Sequence, residues 1–204
     1  MKILIACEFS GVVREAFRAL GHDAWSCDVL PCEQYGKWYD KHIRGDVLER
    51  LSDGWDAMIA HPPCKFLALC QAWRKRPSKK DCELYGLDPA NETWRLEQRE
   101  LAVEFARALW NAPIGRICLE NPKSILSTRL ARKTQTIHPW QFGHGETKET
   151  WLWLKNLPTL KATNIVEGRE ERIWKMPPSD TRTQDRSRTY TGIAAAMAEQ
   201  WGSL

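Results

Sequence analysis

The chain opens on a near-continuous apolar run over residues 2–7, the pattern of a strand buried on both faces. After the short loop Glu8-Phe9-Ser10-Gly11, Val13, Ala16, Phe17 and Leu20 recur at helical spacing, so Val12 to Leu20 is expected to form a helix that Gly21 stops. Ala24 to Cys27 reads as a second strand ending at Asp28, and Gly45-Asp46-Val47 as a brief turn. Trp55 to Ala60 forms another strand, followed by His61-Pro62-Pro63-Cys64. Residues 65–91 show no period and carry many cations, which predicts a long irregular loop.

Ala102, Phe105, Ala106 and Leu109 give the stretch from Thr93 to Trp110 the stripe of a long helix. Arg116 to Leu119 is a strand running into Glu120-Asn121-Pro122, and Ser124 to Ala131 reads as helix. Strand-like segments follow at Gln135 to Pro139 and Thr150 to Leu154. Residues 166–188 read as irregular, and Thr191 to Trp201 as a final alanine-rich helix. Strands alternating with helices predict an α/β fold with a mostly parallel sheet covered on both faces, in one domain over residues 1–204.

Composition narrows the picture. The 204 residues are 43% hydrophobic and 27% charged, the balance of a folded globular chain. The net charge of +4 permits a polyanionic partner without requiring one. No apolar run is long enough to span a membrane, and the opening residues lack a signal-peptide pattern. The seven scattered cysteines therefore read as reduced thiols of a cytoplasmic protein, and no pair of them has zinc-site spacing.

Ligands of open α/β sheets bind beyond the carboxyl ends of the strands, so chemistry is sought there. Gly11 lets backbone approach a ligand, and Asp28, 17 residues later, is spaced to accept two ribose hydroxyls. This pair fits a nucleoside cofactor, and fits equally a βαβ turn with an ordinary capping acid. The absence of Gly-x-Gly-x-x-Gly and of a phosphate-loop lysine argues against dinucleotides and nucleoside triphosphates. Cys64, behind two prolines, is held as a nucleophile must be, although an isolated cysteine is more often a small buried hydrophobe. Glu120 changes that balance. A thiolate and a carboxylic acid at neighbouring strand ends are the pair needed to attack an electron-poor pyrimidine: sulfur adds to carbon 6 while the acid neutralises N3.

With these residues in order, the chain resembles the DNA cytosine-5 methyltransferase family, and in particular its compact phage-type members. Cys7-Glu8-Phe9-Ser10-Gly11 is similar to that family's first cofactor motif, Asp28 to its ribose-binding acid, and Gly45-Asp46-Val47 to its Gly-Asp-Ile motif. Pro63-Cys64 matches the catalytic Pro-Cys, and Glu120-Asn121 the Glu-Asn of Glu-Asn-Val. The resemblance implies a Rossmann-like, class I S-adenosylmethionine-dependent fold. It implies catalysis by Cys64, Glu120 and Asn121, and S-adenosylmethionine held by Phe9, Ser10, Gly11, Asp28, Asp46 and Pro63. The partner would be DNA, with no metal; Trp73, Arg74, Lys75, Arg76, Lys79 and Lys80 in the basic segment after Cys64 would contact it, the alternative being a solvated loop. The target base would be flipped out of a duplex or taken from a single strand.

The second half departs from the pattern. Pro122 replaces the usual valine, and Gln135-Thr136-Ile137-His138-Pro139 is the nearest strand to the absent Gln-x-Arg-x-Arg, leaving His138 or Arg129 to hold the base carbonyl. Only residues 155–188 stand where larger members insert a recognition domain. Three alternatives compete. An amino-methyltransferase acting on adenine N6 or cytosine N4 would carry an aromatic where Cys64 stands. The same carbon-5 chemistry could serve another substrate or transferred group. The third is a nucleic-acid-binding module without catalysis.

Overall fold

The computed structural model describes residues 1–33 and 39–204. Its strands are β1 (Lys2–Ala6), β2 (Asp23–Asp28), β3 (His42–Arg44), β4 (Ala57–Ala60), β5 (Arg116–Pro122), β6 (Gln135–Ile137) and β7 (Thr150–Lys155). The helices are α1 (Val12–Ala19), α2 (Leu69–Ala72), α3 (Lys79–Tyr85), α4 (Trp94–Trp110), α5 (Leu126–Arg129), α6 (Arg172–Lys175), α7 (Arg182–Ser187) and α8 (Thr191–Trp201). The strands form one sheet in the order β3-β2-β1-β4-β5-β7-β6. The pairings from β3 through β5 are parallel, and β7 runs antiparallel between β5 and β6. This is the expected Rossmann-like α/β arrangement, a mostly parallel sheet in which β7 runs opposite to both of its neighbours.

The unbroken apolar run of β1 has a simple cause. Ile3 and Ile5 face a core shared with Val13 and Phe17 of α1 and Met197 and Trp201 of α8. Leu4 and Ala6 face the opposite core, with Met58, Val103 and Leu109 of α4, Leu119 and Trp153. Side chains alternate across a strand, so a central strand covered by helices on both sides must be apolar at every position. One glycine is dictated by packing: a Cβ on Gly192, at the start of α8, would lie 1.8 Å from the Phe142 carbonyl oxygen.

Beyond end shifts of one or two residues, three segments depart from the sequence expectation. Residues 65–91 are not one irregular loop: they contain α2 and α3. The Ser78 hydroxyl accepts from the Asp81 amide at 3.2 Å and the Asp81 carboxylate accepts from the Ser78 amide at 3.0 Å, a reciprocal cap that starts α3. Residues 166–188 likewise hold α6 and α7. And β5 does not stop at Leu119: β7 pairs alongside it, with Glu120 opposite Leu152 and Asn121 opposite Trp151, so the strand continues through Pro122.

Candidate active site at the carboxyl edge of the sheet

The parallel strands β1, β2, β4 and β5 all end at one edge, and antiparallel β7 begins there. Cys7 makes the first turn at that edge with φ +59°, a left-handed conformation that costs a non-glycine residue about 1 kcal/mol. Gly11, φ +72°, makes the second, and there glycine is the residue without that cost. Between them Glu8 folds under α1. Its carboxylate accepts from the Val13 amide at 2.7 Å and the Arg14 amide at 3.2 Å. The first amides of α1, which would otherwise favour a ligand's anionic group, are therefore already taken by Glu8. Ser10 is buried, its hydroxyl within 3.4 Å of both Glu8 and the Val12 amide, so its side chain supports the turn. Burial is the main force raising the Glu8 pKa, opposed by the charge of His61 and the two amides.

Phe9 and the segment after β2 form a cavity of about 450 Å³ with Leu30, Pro31, Cys32, Glu33, Gln184 and Arg188. The Glu33 amide donates to the Phe9 carbonyl at 2.9 Å. Arg188 forks onto Glu33 from across the opening, Nε to Oε2 and Nη2 to Oε1, each at 2.7 Å. Asp28 ends β2 and does not line this cavity; one carboxylate oxygen accepts from the amide of the lining residue Leu30 at 2.9 Å, and partial burial raises its pKa. Asp46 lies just beyond β3 and is exposed, its carboxylate capping the 3-10 turn Val47–Arg50 through the Leu48 amide. The cavity is large enough for a nucleoside, with an aromatic wall and an acid beside it.

The loop after β4 carries the reactive group. The His61 amide extends the β1–β4 ladder by donating to Ala6 at 2.9 Å. Pro62 is buried, and its carbonyl accepts from Asn121 Nδ2 at 2.7 Å; Pro63 and Cys64 are exposed. The Cys64 carbonyl accepts from the Leu67 and Ala68 amides, a tight turn that fixes the backbone at Cys64. Loss of water around the thiol and then the Glu120 charge raise the Cys64 pKa, while Lys148 and Arg186 pull it down. Glu120 is within hydrogen-bond reach of His61, Oε2 to Nδ1 3.0 Å, and both side chains are largely buried, 16% and 11% exposed. Burial acts to raise the Glu120 pKa, but the His61 hydrogen bond and charge, Lys148 and Thr150 outweigh it and hold it below the usual carboxylate value.

The basic segment divides. Trp73 is 72% exposed, with the Arg74 guanidinium 5.3 Å from its ring centre. Arg76 is paired with Glu92 at 2.9 Å and Lys79 with Glu83 at 3.8 Å, whereas Lys75 and Lys80 lie exposed on the surface. Of the two candidates for the base carbonyl, Arg129 is engaged by Glu100 at 2.5 Å on the face of α4. His138 follows β6 at the site's edge and stacks on Trp140, its Nδ1 buried without a hydrogen-bond partner.

Glu8, His61, Lys148, Thr150 and the Arg188–Glu33 pair were not singled out as site residues from the sequence. His61 carried a signal, standing beside Pro62-Pro63-Cys64. Lys148 and Thr150 carried none, because only the antiparallel pairing of β7 brings them to Glu120. None of the seven cysteines is in a disulfide, and among the described residues no three His, Cys, Asp or Glu side chains cluster to hold a metal ion. No helix among the described residues is long and apolar enough to cross a membrane.

No family model matches the chain, and no curated protein matches it. Among solved structures it is similar to a prophage-encoded E. coli protein assigned as a DNA modification methyltransferase. That match has 11% identity over 86% of this chain and 55% of the other, with TM-score 0.47. It is also similar to the Dnmt2 methyltransferase of S. pombe, at 14% identity over 85% and 52%, TM-score 0.41. The chain spans about half the length of these two structures.

Proposed function

We propose that the chain is a DNA cytosine-5 methyltransferase in which Cys64 is the nucleophile. The observation that carries this reading is the juxtaposition at one sheet edge of an exposed thiol with a buried, hydrogen-bonded carboxylate near enough to shift its pKa. The cavity walled by Phe9, with Asp28 at its side, fits the nucleoside part of S-adenosylmethionine. Phe9 would pack on the adenine, Gly11 would admit the methionine part, and Asp28 would accept from the ribose. Asp46 would reach the adenine amine, with Ser10 and Pro63 supporting the walls. When bound, this cofactor supplies an electrophilic methyl group.

The chain's own residues do the rest. Cys64 loses its proton to water at the open mouth and its sulfur bonds to carbon 6 of cytosine. The carbon 5–carbon 6 electron pair shifts toward N3, which takes a proton from Glu120 and leaves carbon 5 electron-rich. After methylation, loss of the carbon 5 proton to water restores the double bond and expels the Cys64 thiolate, and N3 returns its proton to Glu120. Asn121 holds the Pro62 carbonyl and so fixes the turn in front of Cys64. Trp73, Arg74, Lys75, Arg76, Lys79 and Lys80 would contact DNA, the charged members through phosphates.

Incubation with S-adenosylmethionine and oligonucleotides containing 5-fluorocytosine tests the reading. A covalent adduct that maps to Cys64 and is lost in Cys64→Ala is expected. Methyl transfer that survives Cys64→Ala would favour an amino-methyltransferase, and no binding of the cofactor by calorimetry would favour a non-catalytic module.

A further inference from the structure

Resting on the cytosine reading above, we propose that His61 is the positioning residue of Glu120 and stores, in its Nδ1–H···Oε2 contact, the proton that Glu120 delivers to N3. The backbone of His61 is fixed by its hydrogen bond to Ala6, and Pro62 behind it is tied to Asn121. The ring thus has little freedom and lies against Glu120 at 3.0 Å. An ionised carboxylate only accepts, so Nδ1 carries the hydrogen in that contact. Oε2 is committed to His61, and the Thr150 hydroxyl also bonds the Glu120 carboxylate.

The pair answers a problem of protonation. A carboxylate held below its usual pKa is in the wrong form to protonate N3, and the proton it lacks sits on the neighbouring imidazole. The groups acting on His61 come from several elements: Glu120 of β5, Glu8 after β1, Asp28 at the end of β2 and Lys148 before β7. Burial disfavours the charged ring, yet Glu120 and Glu8 together outweigh burial and Lys148 and hold its pKa above the ordinary 6.5. Nε2 is buried with no hydrogen-bond partner, so the proton's way out is through Glu120. As the Cys64 sulfur bonds to carbon 6, the proton leaves Nδ1 for the Glu120 carboxyl and passes from it to N3. The imidazole is then neutral, and when the sulfur departs the proton returns from N3 to Glu120 and His61.

Nitrogen-15 NMR of the full chain, without cofactor or DNA, reads the store directly. Both His61 ring nitrogens are expected to be protonated at pH 7 in the wild type, and Glu120→Gln should lower the His61 pKa. A neutral His61 at pH 7 would overturn the proposal. The second arm follows adduct formation on 5-fluorocytosine DNA against pH. The wild-type rate should fall as pH rises through the His61 pKa. His61→Asn, which keeps a donor without a titrating group, should be about 100-fold slower at pH 7 and should lose that alkaline decline. An unchanged rate and profile in His61→Asn, with the wild type forming its adduct, would reject the role of His61 and leave Cys64 chemistry standing. No adduct in the wild type, with His61 still protonated at pH 7, would instead reject the cytosine reading while the ion pair stood.

Discussion

Asn121 Nδ2 donates to the carbonyl oxygen of Pro62 at 2.7 Å, joining β5 to the loop that presents Cys64 two residues later. Asn121 is almost fully buried. Asn121→Ala removes the donor and leaves that carbonyl without it, which should destabilise the chain by about 1–3 kcal/mol. Urea unfolding measures this cost. The loop is also released, so Cys64 adduct formation should fall by more than about tenfold under conditions where the variant remains folded.

Arg188 and Glu33 close the cavity beside Phe9 from positions far apart in the chain. Both are partly exposed, so the pair itself contributes only about 0–1 kcal/mol to folding. Arg188→Gln should leave the melting temperature nearly unchanged and weaken S-adenosylmethionine binding several-fold in calorimetry. An unaltered affinity would separate this cavity from the cofactor.

The basic segment makes a graded prediction. Arg74 and Lys75 stand beside exposed Trp73, while Arg76 and Lys79 are engaged by Glu92 and Glu83. Replacing Arg74 and Lys75 together by glutamine should reduce the slope of log affinity against log salt by about 2. Replacing Arg76 and Lys79 should reduce it less. Equal reductions would show that the acidic partners release their cations when DNA binds.

Asp81 provides a pH test of stability. Its carboxylate is buried, caps α3 through Ser78, receives Lys65 at 2.5 Å and faces buried Arg95 at 3.6 Å. Burial alone would raise its pKa, but Lys65 and Ser78 hold it below the usual 3.8. A group depressed in the folded state stabilises above its unfolded pKa, and that contribution is lost as pH falls through the folded value. Asp81→Asn should therefore cost about 2–3 kcal/mol at pH 7, Lys65 being half exposed and screened. The difference from wild type should close below about pH 3 in denaturant titrations.

The α/β class, the strands at 2–7 and Trp55 to Ala60, and the helices at Thr93 to Trp110 and Thr191 to Trp201 were legible in the sequence. Their signal is local: the apolar period of a buried strand or helix is set by which faces must leave water. The cap at Ser78 and Asp81 was equally legible, being a three-residue spacing, yet the charge of its surroundings made the segment read as loop. The order of Phe9, Asp28, Cys64 and Glu120 along strand ends also followed from the sequence, because parallel strands deliver their carboxyl ends to one edge. What stands beside each of these groups did not. Glu120 is held by His61, influenced by Lys148 and embedded in a strand prolonged by β7, and Glu33 is met by Arg188 from the far end of the chain. These relationships join residues tens to more than a hundred positions apart through an antiparallel pairing and a loop crossing. Such closures depend on how whole elements pack, so only the tertiary structure decided them.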